Sequence, residues 1–314
     1  MPNWDPEQSR RPPMRVFLTG ATGFIGSHIV PELLAAGHQV LGLTRSDTGL
    51  RSLAAAGAEP HRGTLEDLGG LRAGAEKADA VIHTAFDHNF SNMVENCEKD
   101  RRVIAALGSV LQGSDRPLLI TSGVALGDAG DGRPANEAVF NALHPIPRIA
   151  SEQAANALLE VGVDVRVVRL PQVHDTAKQG LVTPFIEHSR EKGSVAYIGQ
   201  GNNRWSAGHV LDVAKLYVLA LDRGRKGARY HAVAEEGVAM SDIAEAVAAG
   251  LGLPTLSLST EDAPAYFGWM SIFAGLGMQA SSDWTREQLD WNPTGPGLIE
   301  DLQAMHYSKS AAAE

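Results

Sequence analysis

The stretch Met14-Arg15-Val16-Phe17-Leu18-Thr19-Gly20-Ala21-Thr22-Gly23-Phe24-Ile25-Gly26 constrains the fold of this chain more than any other. Its apolar run reads as a buried strand, the three glycines at three-residue spacing as a tight turn, and the amphipathic residues that follow as a helix. Gly20 lets the chain turn sharply, Gly23 lets a pyrophosphate approach the backbone, and Gly26 lets the helix pack on the strand. Thr22, Phe24 and Ile25 lie between them, where the start of the helix offers unpaired N–H groups to an anion. Val40-Leu41-Gly42-Leu43 supplies a second buried strand and completes a βαβ unit of about 30 residues. Pro31 falls inside the expected helix and should remove a hydrogen bond or kink it.

The same alternation continues along the chain. Helical residues 50–56 precede a short strand at 59–63, then a helix from Glu66 to near Ala75 and a strand at 80–85. A helical period over 93–111 precedes a buried strand at 117–122; beyond a loop rich in Gly and Asp come a helix at 151–161 and a strand at 165–170. Six such units imply an α/β fold with a doubly wound parallel Rossmann sheet over residues 14–177. From Lys178 onward Gly193, Gly199 and Gly201 interrupt the pattern, which marks a smaller C-terminal substrate lobe over 178–307. The chain is expected to cross back to the first domain near 205–235. Residues 1–13 read as a disordered leader and 308–314 as a frayed tail.

Composition excludes several classes of function. No apolar stretch is long enough to span a bilayer and the polar start carries no signal-peptide pattern, so a cytoplasmic protein is expected. A formal charge of −10 argues against a nucleic-acid or anionic-membrane surface. Cys97 is the single cysteine, which rules out an intrachain disulfide or a thiolate zinc cluster and leaves a small core residue. No histidine–carboxylate spacing suggests a metal site.

Five motifs in order, T-G-A-T-G-F-I-G at 19–26, V-I-H-T-A at 81–85, L-I-T-S-G-V at 119–124, R-L-P-Q-V-H at 169–174 and H-V-L-D-V-A at 209–214, together resemble the extended short-chain dehydrogenase/reductase family. That family is also called the NAD-dependent epimerase/dehydratase family, and the resemblance implies a Rossmann domain with a small C-terminal lobe. It also implies that Thr64 and Leu65 lie near the adenine, that Thr84 and Ala85 line the pyrophosphate and ribose path, and that Pro171 and Val173 border the nicotinamide. At the end of the second strand, where an acid would bind the ribose of NAD, stand Thr44 and Arg45, a neutral residue and a fork of donors suited to a 2′-phosphate. NADP(H) is therefore the expected cofactor, although Asp47 two residues on can still serve a ribose.

The catalytic Tyr-x-x-x-Lys of the family is absent. Alignment on Ser151 places Arg148 at the tyrosine and Glu152 at the lysine, and the first tyrosine of the chain is Tyr197. Ser122 matches the active-site serine. Arg148 can stabilise an alkoxide or grip a substrate carboxylate, or else form a helix-surface pair with Glu152 at i, i+4. His88 matches a substrate-facing loop and suits proton transfer near neutral pH, as a second candidate beside Glu152. Phe86, His174, Tyr197 and Trp205 are the candidate substrate residues. These readings converge on an NADP(H)-dependent oxidoreductase acting on a carbonyl or related group of a small, moderately apolar substrate. The alternatives are an epimerase or dehydratase and a non-enzymatic NADP-binding sensor. The resemblance also implies a homodimer formed by the helices at 93–111 and 151–161.

Overall fold

Strands that read as continuous Val, Ile and Leu have no polar face to give to water, so they need cover on both sides. The computed structural model, which describes residues 12–89 and 92–307, supplies that cover with helices on both faces of a parallel sheet. Residues 1–11 of the expected leader and the whole expected tail lie outside the described residues. Strands β1 (Arg15–Thr19), β2 (Gln39–Thr44), β3 (Glu59–Arg62), β4 (Ala80–His83), β5 (Pro117–Gly123) and β6 (Asp164–Leu170) alternate with helices. These are α1 (Gly26–Ala35), α2 (Asp47–Ala55), α3 (Leu68–Glu76), α4 (Met93–Leu111) and α5 (Ile149–Glu160). Helix α2 begins earlier than its apolar period suggests because the Ser46 hydroxyl accepts from the Gly49 N–H and caps it.

The strand order is β3-β2-β1-β4-β5-β6-β10, all parallel, with β10 (Arg229–His231) a seventh strand that the sequence pattern did not announce. The chain reaches β10 through helix α7 (Val210–Asp222), which packs against α1 on one face of the sheet. Alternation along β1 sends Val16 and Leu18 into a core with Ile29, Leu33, Val213 and Tyr217. Phe17 points the other way, into a core built with Leu71, Val103, Leu107 and Leu158. Order reverses between β1 and β4, so a crevice opens at their carboxyl ends, the place where such sheets receive ligands.

A second lobe grows from the end of β6. Strands β7 (Gln172–His174), β9 (Arg204–His209) and β11 (Glu235–Ala239) make a three-stranded sheet, and β8 (Val195–Ile198) pairs with β12 (Thr255–Leu258). Around them lie α6 (Val182–Lys192), α8 (Met240–Leu251), α9 (Ala263–Phe267), α10 (Ser271–Ala274) and α12 (Leu298–Ala304), while α11 (Asp283–Leu289) touches α7 and β10 of the large sheet. Phe185, Trp205, Val247, Phe267 and Leu302 form the second lobe's own core. Among the described residues no helix is long and apolar enough to cross a membrane.

Candidate active site

The glycine turn closes where β1 meets α1. Gly20 adopts φ of 72°, a left-handed conformation that glycine reaches without strain, and its carbonyl accepts from the Gly23 N–H at 2.8 Å. A Cβ at Gly26 would fall 2.0 Å from the Gly20 oxygen, so the first turn of α1 can lie against the loop only without a side chain. Thr22 and Gly23 are exposed at this helix start, and Thr84 and Ala85 from the end of β4 close over Gly20. Gly26→Ala is expected to lower stability by about 3 kcal/mol, since backbone must shift to admit the methyl group. A denaturant titration that finds the variant as stable as the parent would refute this packing.

At the outer end of the crevice Arg45 is exposed and makes no hydrogen bond or ion pair among the described residues. Thr44 is buried, whereas Asp47 is engaged by Arg62 from the end of β3. Arg45 is thus an unmatched cation just after β2 among the described residues, and the nearby Asp47 is already paired with Arg62. Thr64 and Leu65 follow β3 at the same end, with Thr64 exposed and Leu65 half-buried.

At the inner end, Ser122 is buried and its hydroxyl has no hydrogen-bond partner among the described residues. Arg148, at the start of α5, donates from Nη2 to the carbonyl of Thr121 at 2.9 Å, next to that serine. Its guanidinium lies 4.0 Å from the centroid of Phe86, and the Phe86 ring meets His88 edge to face at 5.4 Å. Arg148, Phe86 and His88 are therefore brought together, and Ser122 is the residue after the carbonyl that Arg148 binds. Desolvation, reinforced by the charges of Arg148 and Lys178, holds His88 below the ordinary histidine value, so it is neutral at pH 7. Tyr217, on α7, bonds Thr121 Oγ1 at 2.6 Å, but it is fully buried, and burial drives its pKa far up. It supports Thr121 from beneath and is no substitute for the missing tyrosine.

Behind Arg148 runs a buried chain of polar groups that the sequence reading missed. Asp100 on α4 accepts from Arg148 Nη1 at 2.8 Å and from the Ser151 hydroxyl at 2.6 Å, and its other oxygen meets His83 Nε2 at 2.9 Å. His83 Nδ1 lies 2.6 Å from the Thr19 hydroxyl at the end of β1. With the proton on Nε2, His83 donates to the carboxylate and accepts from Thr19. Burial works to raise the Asp100 pKa, yet Arg148, His83 and Ser151 together outweigh it and hold the carboxyl below its usual range. The signal for Asp100 was present: it sits on the α4 stripe of Cys97, Val103, Ile104 and Leu107, where an acid must have a partner.

Several expected roles change. Arg148 and Glu152 do not pair with each other. Glu152 is wholly buried, accepts from Arg169 Nε and Nη2 at 2.7 and 2.9 Å and from Arg229 Nε at 2.8 Å, and is held as a carboxylate by them against the effect of burial. It has no proton to give and no exposure to a substrate, so it is structural. Trp205 does not wall a pocket: it is 1% exposed, lies in the second lobe's core and donates from Nε1 to the Leu276 carbonyl at 3.1 Å. Tyr197 packs against that same core. His174 is buried with Nδ1 2.6 Å from Asp301 of α12, and Val173 is buried in the main core, while Pro171 stays half-buried at the end of β6.

Comparison with known proteins gives four findings. The sequence profile of the NAD dependent epimerase/dehydratase family matches residues 16–234. An uncharacterized protein of Schizosaccharomyces pombe is 44% identical over 295 residues, covering 94% of this chain and 100% of its own. The 4-hydroxy-2-methyl-3-oxo-4-farnesyl-3,4-dihydroquinoline-1-oxide ketoreductase of Stigmatella aurantiaca is 27% identical over 232 residues, 69% of this chain and 67% of the relative. The structure of UDP-glucose 4-epimerase from Thermus thermophilus in complex with NAD has the same fold, with a TM-score of 0.73 at 24% identity over 94% of this chain and 99% of that one.

Proposed function

Since the chain belongs to the NAD dependent epimerase/dehydratase family of extended short-chain dehydrogenase/reductases, we propose that it is an NADP(H)-dependent oxidoreductase. Its substrate is a small, moderately apolar compound with a carbonyl or related unsaturated group. The observation that carries the reading is the buried Ser122 hydroxyl, left without a partner beside the Arg148 guanidinium. Buried polar atoms are almost always bonded, so an orphan at the carboxyl end of a Rossmann strand calls for a ligand oxygen. The kinship with a named ketoreductase runs the same way.

The residues present suit a phosphorylated dinucleotide: the glycine turn and helix start receive the pyrophosphate, and Arg45 receives the 2′-phosphate. When bound, the nicotinamide supplies the hydride. Ser122 and the free N–H groups of Arg148 hold the substrate oxygen and stabilise the negative charge that develops on it. Arg148 cannot take up a proton, which disfavours an epimerase cycle that begins by deprotonating an alcohol. The proton that completes the reduction comes from solvent, and His88, neutral and edge to face with Phe86, is the expected group to relay it, accepting one proton as it passes on another. A cytoplasmic homodimer joined through α4 and α5 belongs to the same reading.

The test is a fluorescence titration with NADPH and NADH, followed by NADPH consumption over a panel of carbonyl compounds. NADPH should bind at least about tenfold tighter than NADH, and Arg45→Ala should erase that preference. Ser122→Ala should lower kcat by roughly 100-fold with NADPH affinity unchanged. Binding without consumption of NADPH by any carbonyl would point instead to a sensor, and equal rates for Ser122→Ala would remove the serine from the chemistry.

A further inference from the structure

Resting on the reductase reading, we infer that Asp100 sets the substrate class of this site. By neutralising Arg148 from within the core, it makes that guanidinium a hydrogen-bond donor for neutral carbonyl compounds and not a receptor for carboxylates.

An arginine beside an active-site serine would ordinarily suggest an anionic substrate, because its charge attracts one and its fork fits a carboxylate. Here the fork is already taken. Asp100 is 2% exposed, and its two oxygens accept from Arg148, Ser151 and His83. Three donors on one buried carboxylate hold it in the ionised form and set its charge against that of Arg148. The pair therefore carries no net charge.

A carboxylate arriving at Arg148 would find that cation already paired with Asp100 and would have to compete with a buried carboxylate for it, which a neutral group need not do. A ketone oxygen needs only N–H and O–H donors. Arg148 has them: among the described residues two of its five N–H groups are engaged, by Asp100 and by the Thr121 carbonyl one residue before Ser122. The apolar flank is Phe86, stacked on the same guanidinium. His88 is held below the ordinary histidine value, and Lys178, 5.7 Å over Phe24 of the glycine turn, is a second cation whose charge reaches His88. Asp100 is thus a specificity-determining residue that touches the substrate only through Arg148.

A matched pair of probes of nearly one shape, acetophenone and benzoate, tests this by calorimetry on the chain saturated with NADP+, where no turnover intrudes. Wild type should bind acetophenone at least about tenfold tighter than benzoate. Asp100→Asn leaves the cation of Arg148 unmatched and should raise benzoate affinity by about tenfold or more, reversing the preference. Should that variant not fold, Asp100→Ser, which removes the same charge in a smaller side chain, should raise benzoate affinity in the same way. Benzoate binding wild type as well as acetophenone does, or a folded variant without the Asp100 charge that gains no benzoate affinity, would each overturn the inference. Failure of the reductase reading shows up separately, as NADPH that binds and is never consumed.

Discussion

Replacing Glu152 with lysine, alone or with Arg148→Tyr to rebuild the family's catalytic pair, is expected to leave the chain without a cooperative unfolding transition at room temperature. The instinct behind such a design is to restore the missing chemistry. What decides the outcome is the surroundings of position 152. There the carboxylate is bracketed by Arg169, with two bonds, and Arg229, with one, and both Glu152 and Arg169 are wholly buried. Removing one partner of a buried ion pair costs about 3–5 kcal/mol because the other charge is stranded. Here two guanidiniums are stranded and a third cation is set between them. Set against a total stability of about 5–15 kcal/mol, that is enough to abolish the native state.

Thermal unfolding followed by circular dichroism reads the result. Glu152→Gln should melt at markedly lower temperature yet still cooperatively, because the amide oxygen keeps part of the bonding. Swapping the charges, Glu152→Arg with Arg169→Glu, should recover part of the loss that Glu152→Lys incurs. A Glu152→Lys chain that melts like the parent would mean that the cluster is not what holds α5 on β6. Glu152 is thus held for a structural reason, by Arg169 and Arg229 from elsewhere in the chain.

Those matching residues explain what the sequence could and could not reveal. The large sheet was legible because its strands are apolar on both faces and its helices carry clean stripes, and because the glycine turn ties the first strand to the first helix. Buried charge was harder to read. Val165-Arg166-Val167-Val168-Arg169-Leu170 puts two arginines into a central strand, and such a strand can exist only if each finds acceptors inside. Arg166 finds Asp164 and the carbonyls of Ala220 and Leu221, and Arg169 finds Glu152. Periodicity assigns the strand but not the partners, because they come from α5, α7 and the same strand's start. The aromatic residues of the second lobe failed for a different reason: Trp205 on β9 follows exposed Arg204, and nothing local says whether a buried tryptophan faces a pocket or a core. The seventh strand, β10, has only three residues and carries an arginine and a histidine, so no apolar run marked it.

The histidine of that short strand gives the other large effect. His231 should make the protein lose stability steadily as pH falls from about 6.5, long before its carboxylates titrate. Its Nδ1 donates to the Ser281 carbonyl at 2.8 Å and its Nε2 faces Arg169 Nη1 at 3.3 Å, a pattern that requires the neutral ring. Desolvation, helped by the charge of Arg169, pushes its pKa down to about 3 from an ordinary 6.5. The sign follows from proton counting: below 6.5 the unfolded chain binds a proton that the native chain refuses, so each pH unit of acidification costs the fold about 1.4 kcal/mol until the native ring titrates. The loss reaches about 2 kcal/mol at pH 5 and roughly 5 kcal/mol near pH 3. Asp100 and Glu152, whose carboxyls are held below their usual ranges, act in the same direction but only once pH falls below about 4.5, where the unfolded carboxylates begin to take protons. Urea titrations between pH 7 and pH 5 read this slope, to which His88, His144 and His174, also held below the ordinary histidine value, add in the same direction. His231→Gln, which keeps a donor and an acceptor but cannot charge, should remove about 2 kcal/mol of the loss at pH 5 and leave the remainder. A flat wild-type profile over that interval would show that the ring accepts its proton in place, and that the contact with Arg169 is looser than the native geometry requires.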